Sequence, residues 1–138
     1  MMQTIDELIA DFEYLDNWED RYKHVIELGR ALPVMPDALK TPATKVSGCA
    51  SQVWIHSTVV DGPDGKQLGL AGDSDALIVK GLIAIVFMMF APLTAAEIVS
   101  YNPLDKFTRL GLKDHLSQQR ANGLASMVAR IKADAATV

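Results

Sequence analysis

Apolar residues recur at helical spacing from the start of the chain. Ile5, Leu8, Ile9 and Phe12 fall on one face, behind Thr4-Ile5-Asp6-Glu7, which has the Thr-x-x-Glu form of a capping box. The pattern predicts a first helix with Thr4 as its N-cap. Trp18, Tyr22, Val25, Ile26 and Gly29 repeat steps of three and four, with Glu19, Asp20, Arg21 and Lys23 off the stripe. A second helix is therefore expected after Asn17. Pro33 and Pro36 stop it, because proline lacks the N–H that the helical ladder needs. Residues 33–48 carry three prolines and no period, so they read as a loop.

From Gln52 the period changes to two. Val53, Ile55, Ser57 and Val59 alternate with Trp54, His56, Thr58 and Val60, in a segment rich in β-branched and aromatic residues. Asp61-Gly62-Pro63-Asp64-Gly65 is a dense turn signal, and Lys66 to Ala71 alternates again through Leu68 and Leu70. These two runs predict an antiparallel hairpin. Gly72-Asp73-Ser74-Asp75 then offers several N-caps for a helix over Ala76–Phe90. That helix is apolar nearly all round and belongs at the buried centre. Pro92 ends it, Thr94 to Ser100 reads as a short helix, and Asn102-Pro103 breaks the chain again. A last helix is expected from about Gln118 to Ala133, with Ser117 as N-cap and Leu124, Met127, Val128 and Ile131 inward. The expected fold class is α+β: a small antiparallel β-sheet packed against several helices, with a buried central helix at about 75–90 and a C-terminal helix. With 138 residues and no internal repeat, a single domain over 1–138 is expected.

Composition narrows the function classes. Hydrophobic residues make up 49% and charged residues 22%, as in ordinary globular proteins. The formal charge of −4 and the absence of a basic stripe argue against a nucleic-acid partner. The most apolar stretch, Leu82 to Leu93, is too short to span a bilayer, which needs about twenty residues. Met1-Met2-Gln3-Thr4-Ile5-Asp6-Glu7 lacks the basic start of a secretory signal. No membrane partner is expected, and one unpaired cysteine suits a reducing, cytoplasmic setting.

Cys49 is the only cysteine. It cannot close an internal disulfide, form a CxxC pair or supply the several thiolates of a structural zinc site. Its neighbours Ser47, Gly48, Ala50 and Ser51 are small, whereas a structural cysteine usually sits among bulky apolar residues. It stands where a proline-rich loop meets a strand, a place from which a rigid scaffold can present a reactive group. An inert core cysteine is the competing reading. Arg120 is the second unusual residue: it is a cation in the first turn of the last helix, where it opposes the helix dipole. It also keeps register with Leu124, Met127 and Ile131. It needs a partner, either a carboxylate or an anion such as a thiolate or persulfide. Asp73 and Asp75 read as helix N-caps that the hairpin returns to the end where Cys49 enters. His56 is seven residues from Cys49, about 23 Å along an extended strand, which disfavours a Cys–His pair. His24 and His115 have no companions at ligand spacing, and no metal site is expected.

Val46-Ser47-Gly48-Cys49-Ala50-Ser51-Gln52-Val53-Trp54 resembles the signature of the SufE family, which includes the CsdE-like sulfur acceptors of iron–sulfur cluster assembly. The resemblance extends through Trp18-Glu19, Ile26-Glu27-Leu28-Gly29 and Leu32-Pro33. It continues in Gly72-Asp73-Ser74-Asp75-Ala76, Ile78-Val79-Lys80-Gly81-Leu82, His115-Leu116-Ser117, and Arg120 with Gly123-Leu124. Thr44 stands where the family usually has Asn, Ala50 where Gln is common, and Gln118-Gln119 where Pro-Ser is common.

The resemblance implies a SufE/IscU-like fold and a carrier rather than an enzyme. Cys49 would accept persulfide sulfur from a PLP-dependent cysteine desulfurase of the SufS or CsdA type, stimulate it, and deliver sulfur to a SufBCD-like Fe–S scaffold. Arg120 and Asp75, with Gly48 and Ser51, would set the thiol's environment and meet the partner. The chain itself would need no cofactor, since the PLP belongs to the desulfurase, and a homodimer is kept as a candidate assembly. Three other readings stand beside it. One is a module that activates a desulfurase without carrying sulfur. Another is a stand-alone cysteine-dependent enzyme. The third is a cluster scaffold, which would normally need several thiolates.

Overall fold

The computed structural model describes residues 3–49 and 51–138, with Lys113 in its backbone alone. Met1 and Met2 at the start, and Ala50 beside the thiol, lie outside the described residues. Helix α1 (Ile5–Glu13) begins at the expected capping box: the Glu7 amide donates to Thr4 Oγ1 at 3.1 Å, and the Thr4 amide donates to the Glu7 carboxylate. Helix α2 (Trp18–Ala31) begins where Asn17 Oδ1 accepts the Asp20 amide at 2.9 Å. It ends before Leu32, because a residue followed by proline is pushed out of the helical region.

Strands β1 (Val53–Gly62) and β2 (Gly65–Ser74) pair antiparallel from Val53↔Ser74 to Gly62↔Gly65, leaving Pro63-Asp64 as a two-residue turn. The second strand runs three residues beyond its expected end at Ala71. Gly72 explains why: a Cβ there would stand 2.9 Å from the Phe87 ring and 3.0 Å from Ile83, so only glycine lets the strand lie this close to the central helix. Helix α3 consequently starts late, at Leu77, and runs to Phe90. Its N-cap is Ala76, with no capping side chain, so Asp73 and Asp75 are not the helix caps expected from the sequence.

The loop expected over 33–48 contains a single 3₁₀ turn at Asp37–Leu39. Its last residues pair with the free edge of β1: the Val46 amide donates to the Val53 carbonyl and the Ile55 amide to the Thr44 carbonyl, both at 2.8 Å.

Every residue of α3 from Gly81 to Phe90 is buried. Burying a large aliphatic or aromatic side chain stabilises by about 1.5–3 kcal/mol, so this helix is the main apolar contribution to the core. The sheet, α2 and the C-terminal helix pack around it. The crossing with α2 is very close: a Cβ on Gly81 would lie 2.1 Å from the Val25 carbonyl oxygen, and one on Gly29 would lie 2.7 Å from that of Leu77.

Helix α4 (Ala95–Ser100) has the capping box of Thr94 and Glu97. Helices α5 (Leu104–Arg109) and α6 (Leu112–His115) have no counterpart in the sequence pattern. They are too short to show a period, and tertiary contacts fix them. Arg21 of α2 donates to the Leu15 carbonyl at 3.1 Å and the Leu110 carbonyl at 3.4 Å, with its guanidinium 5.6 Å from the Phe12 ring centre. Helix α7 (Gln118–Ala136) starts at Ser117 as expected and ends three residues later than expected. The architecture is the expected α+β class. Among the described residues, no helix is long and apolar enough to cross a membrane.

Candidate functional site

The Val46–Val53 pairing closes the neck of an arc, residues 47–52, that carries Cys49. Two features shape this arc. Gly48 has φ +89°, a left-handed conformation that side chains other than glycine rarely adopt. At the far side, Asp75 clasps the start of β1: its Oδ1 accepts the Gln52 amide at 3.1 Å, and its own amide donates to the Gln52 carbonyl at 3.3 Å. Asp75 is thus tied to the backbone of the arc, and it is not among the residues lining the cleft beneath the thiol.

Cys49 is half-buried against the first turns of α7. Its Sγ lies 3.7 Å from the Gly123 carbonyl oxygen, in S–H donor geometry. Beneath it is a cleft of about 310 Å³, floored by Val53, Val79, Leu82 and Met127, with Ser51, Ser117, Gln119 and Arg120 around it. Burial pushes the Cys49 thiol above its ordinary range, because a low-dielectric setting disfavours the thiolate.

Arg120 reaches this cleft from the first turn of α7 and is otherwise exposed. Among the described residues, no carboxylate lies within ion-pair distance of it. The positive charge at the cleft is therefore not neutralised locally.

Asp73 serves the scaffold instead. It pairs with Lys40 at 2.8 Å and Lys80 at 3.6 Å. Lys40 also stands 5.3 Å from the Trp54 ring centre. Burial alone would push the Asp73 carboxyl up, but bonds from Lys40 and the Ser74 amide, with both lysine charges, hold it below the usual range. The bond to Asp73 is also the main reason the Lys40 ammonium is shifted upward. This ion cluster fastens the 33–48 loop to the sheet and to α3 upstream of the thiol.

The histidines lie elsewhere. His56 borders a separate hollow with Arg130 and Asp134, His24 packs edge-on against Phe12, and His115 stacks on Trp18. None lines the Cys49 cleft. Among the described residues, no group of three His, Cys, Asp or Glu could hold a metal ion. In the sequence, Gly123 stands out only through the family resemblance, and nothing marks Met127 or Gln119 as site residues. No local signal marks them, because a helix residue acquires a role at the thiol only once α7 is docked on the loop.

Residues 6–135 match the family model described as SufE, Fe-S metabolism associated domain. An uncharacterized SufE-like protein of Rhizobium meliloti is 50% identical over 134 residues, covering 97% of this chain and 96% of its own. A SufE-like protein of Rhizobium etli is 47% identical, covering 97% and 90%. The solution structure of a hypothetical protein from Thermus thermophilus superposes with a TM-score of 0.76 at 18% identity, over 96% of this chain and 93% of that one. That likeness concerns the fold alone.

Proposed function

The chain belongs to the SufE family, an Fe–S metabolism associated domain, and from that membership we propose that it is a one-sulfur carrier acting through Cys49. The donor is a PLP-dependent cysteine desulfurase of the SufS or CsdA type that holds sulfur as a persulfide on its own cysteine. The Cys49 thiolate attacks the outer sulfur of that persulfide. One S–S bond forms as the donor's S–S bond breaks, the donor leaves as a thiolate, and Cys49 becomes Cys49–S–SH. No external oxidant or reductant is consumed, as in any thiol exchange. A thiol of a SufBCD-like scaffold then takes the sulfur by the same step.

The observation that carries this reading is the setting of the lone thiol. It lies with Gly48 and Ser51 over a cleft that can shelter one added sulfur, and the unneutralised Arg120 lines the same cleft. Arg120 suits an anion that comes and goes, because a permanent carboxylate partner would compete with it. Ser51 lines the same cleft, while Gly48 and Asp75 govern the two ends of the arc. A single thiol also prevents the loaded sulfur from being lost to an internal disulfide, and an unpaired cysteine fits a reducing cytoplasm.

The test is mass spectrometry of the Cys49 peptide after mixing with a cysteine desulfurase and L-cysteine. A gain of one sulfur, lost in Cys49→Ser together with stimulation of the desulfurase, is the expected result. Unmodified Cys49 under active turnover, or full stimulation by Cys49→Ser, overturns the reading.

A further inference from the structure

Gly123 has no role in the sulfur chemistry described above, yet its carbonyl accepts the hydrogen bond of the thiol. Its carbonyl oxygen is 3.7 Å from Cys49 Sγ. A Cβ built on Gly123 would meet Cys49 Sγ at 3.5 Å, Cβ at 3.8 Å and Cα at 3.9 Å, so the whole cysteine rests against the place where a side chain would be. Those distances are ordinary van der Waals contact. One methyl group fits there in contact with three atoms of the cysteine. Glycine also costs about 1 kcal/mol in a helix interior relative to alanine, so its place in the second turn of α7 is not explained by the helix itself.

The loop contributes a matching surface. A Cβ on Gly48 would stand 2.5 Å from Ser126 Oγ, one turn further along α7. The arc thus touches α7 at two places, Gly48 against Ser126 and Cys49 against Gly123.

We infer that Gly123 is a positioning residue: it is the seat on α7 that sets how deeply Cys49 rests, and through that depth how readily the thiol reacts before any partner binds. The inference deepens the carrier reading by naming what sets the resting state of the proposed acceptor. A side chain branched at Cβ on Gly123 leaves no room for the cysteine. The arc must then shift outward between its fixed ends at Val46 and Val53, and the sulfur loses both the apolar floor and the Gly123 carbonyl. A single methyl leaves the seat intact, so size at this position should act as a threshold.

The test is the rate of iodoacetamide alkylation of Cys49 at fixed pH in the isolated protein, with no desulfurase present. Gly123→Ala is expected to react within about twofold of the parent. Gly123→Val is expected to react about tenfold faster, since observed reactivity scales with the fraction of molecules in the released, competent state. The parent far-UV circular dichroism spectrum checks that α7 is retained. Should Gly123→Val fail to fold, Gly123→Ser places one γ atom on the same Cβ and is expected to accelerate alkylation about threefold. Parent-like rates in folded Gly123→Val, or in Gly123→Ser where Gly123→Val does not fold, overturn the inference, as does Gly123→Ala reacting as fast as Gly123→Val. Loading by desulfurase and L-cysteine is scored separately. The expected alkylation pattern with no sulfur gained on Cys49 in any variant upholds the seat and sinks the carrier reading.

Discussion

Arg120 and Cys49 line one cleft from two different elements, the first turn of α7 and the arc between Val46 and Val53. Among the described residues, the guanidinium has no carboxylate within ion-pair distance, and no histidine lines the cleft beside the sulfur. Arg120→Ala is therefore expected to slow sulfur acceptance by Cys49 about tenfold, the size of one charge-assisted hydrogen bond. Folding stability should change by less than about 0.5 kcal/mol, with a slight gain because a cation no longer opposes the dipole of α7. Urea melts and timed mass spectrometry of the loaded protein check the two halves. A stability loss as large as the rate loss would mean that Arg120 serves the fold.

The pH dependence of Cys49 alkylation follows from its burial. The folded thiol titrates above the ordinary range, so the rate should rise about tenfold per pH unit through neutrality and level off only above the plateau of a free thiol. For stability the sign is negative with rising pH. The unfolded chain loses this proton first, so the contribution present below the ordinary thiol value is lost as pH rises through the folded value. A rate profile that levels off at or below neutral pH would contradict this description of the site.

Gly81→Ala should be among the most damaging small substitutions. Its methyl would enter within 2.1 Å of the Val25 carbonyl oxygen, and backbone on both sides leaves nothing flexible to yield. Separating α2 from α3 is expected to cost about 3 kcal/mol, the upper end for overpacking a dense core. The midpoint of urea unfolding measures it.

Asp73→Asn tests the ion cluster behind the loop. At neutral pH the substitution should lower stability by about 1 kcal/mol, because a partly exposed ion pair is worth no more than that. Asp73 titrates below the usual carboxylate range, so its contribution is present above about pH 4 and lost as pH falls through the folded value. The stability difference between the parent and Asp73→Asn should therefore close as pH falls through the folded value, where the carboxylate becomes protonated. A gap that persists there would place the effect in packing, not charge.

Most of the fold could be read from the sequence because period, capping chemistry and proline are local. Thr4 with Glu7, Asn17, Thr94 with Glu97, and Ser117 all cap the helices that follow them. The apolar run to Phe90 is buried as its composition requires. Local signals failed at Gly72-Asp73-Ser74-Asp75, where the first three residues continue a strand and Asp75 bonds to the backbone of Gln52 in place of capping the helix. They also failed at α5 and α6, which depend on Arg21 more than eighty residues earlier in the chain.

The sequence by itself determined that there is one thiol, that it stands at the junction of a loop and a strand, and that one arginine sits at an unfavourable helix end. These are properties of residue type and order. Only the tertiary structure decided that α7 is what the thiol rests on, that Gly123 leaves the space for it, and that Arg120 shares its cleft while Asp75 holds the backbone of its loop. Cys49 and Gly123 are seventy-four positions apart. No local pattern encodes a contact at that separation, because it exists only once the sheet and helices have packed around α3.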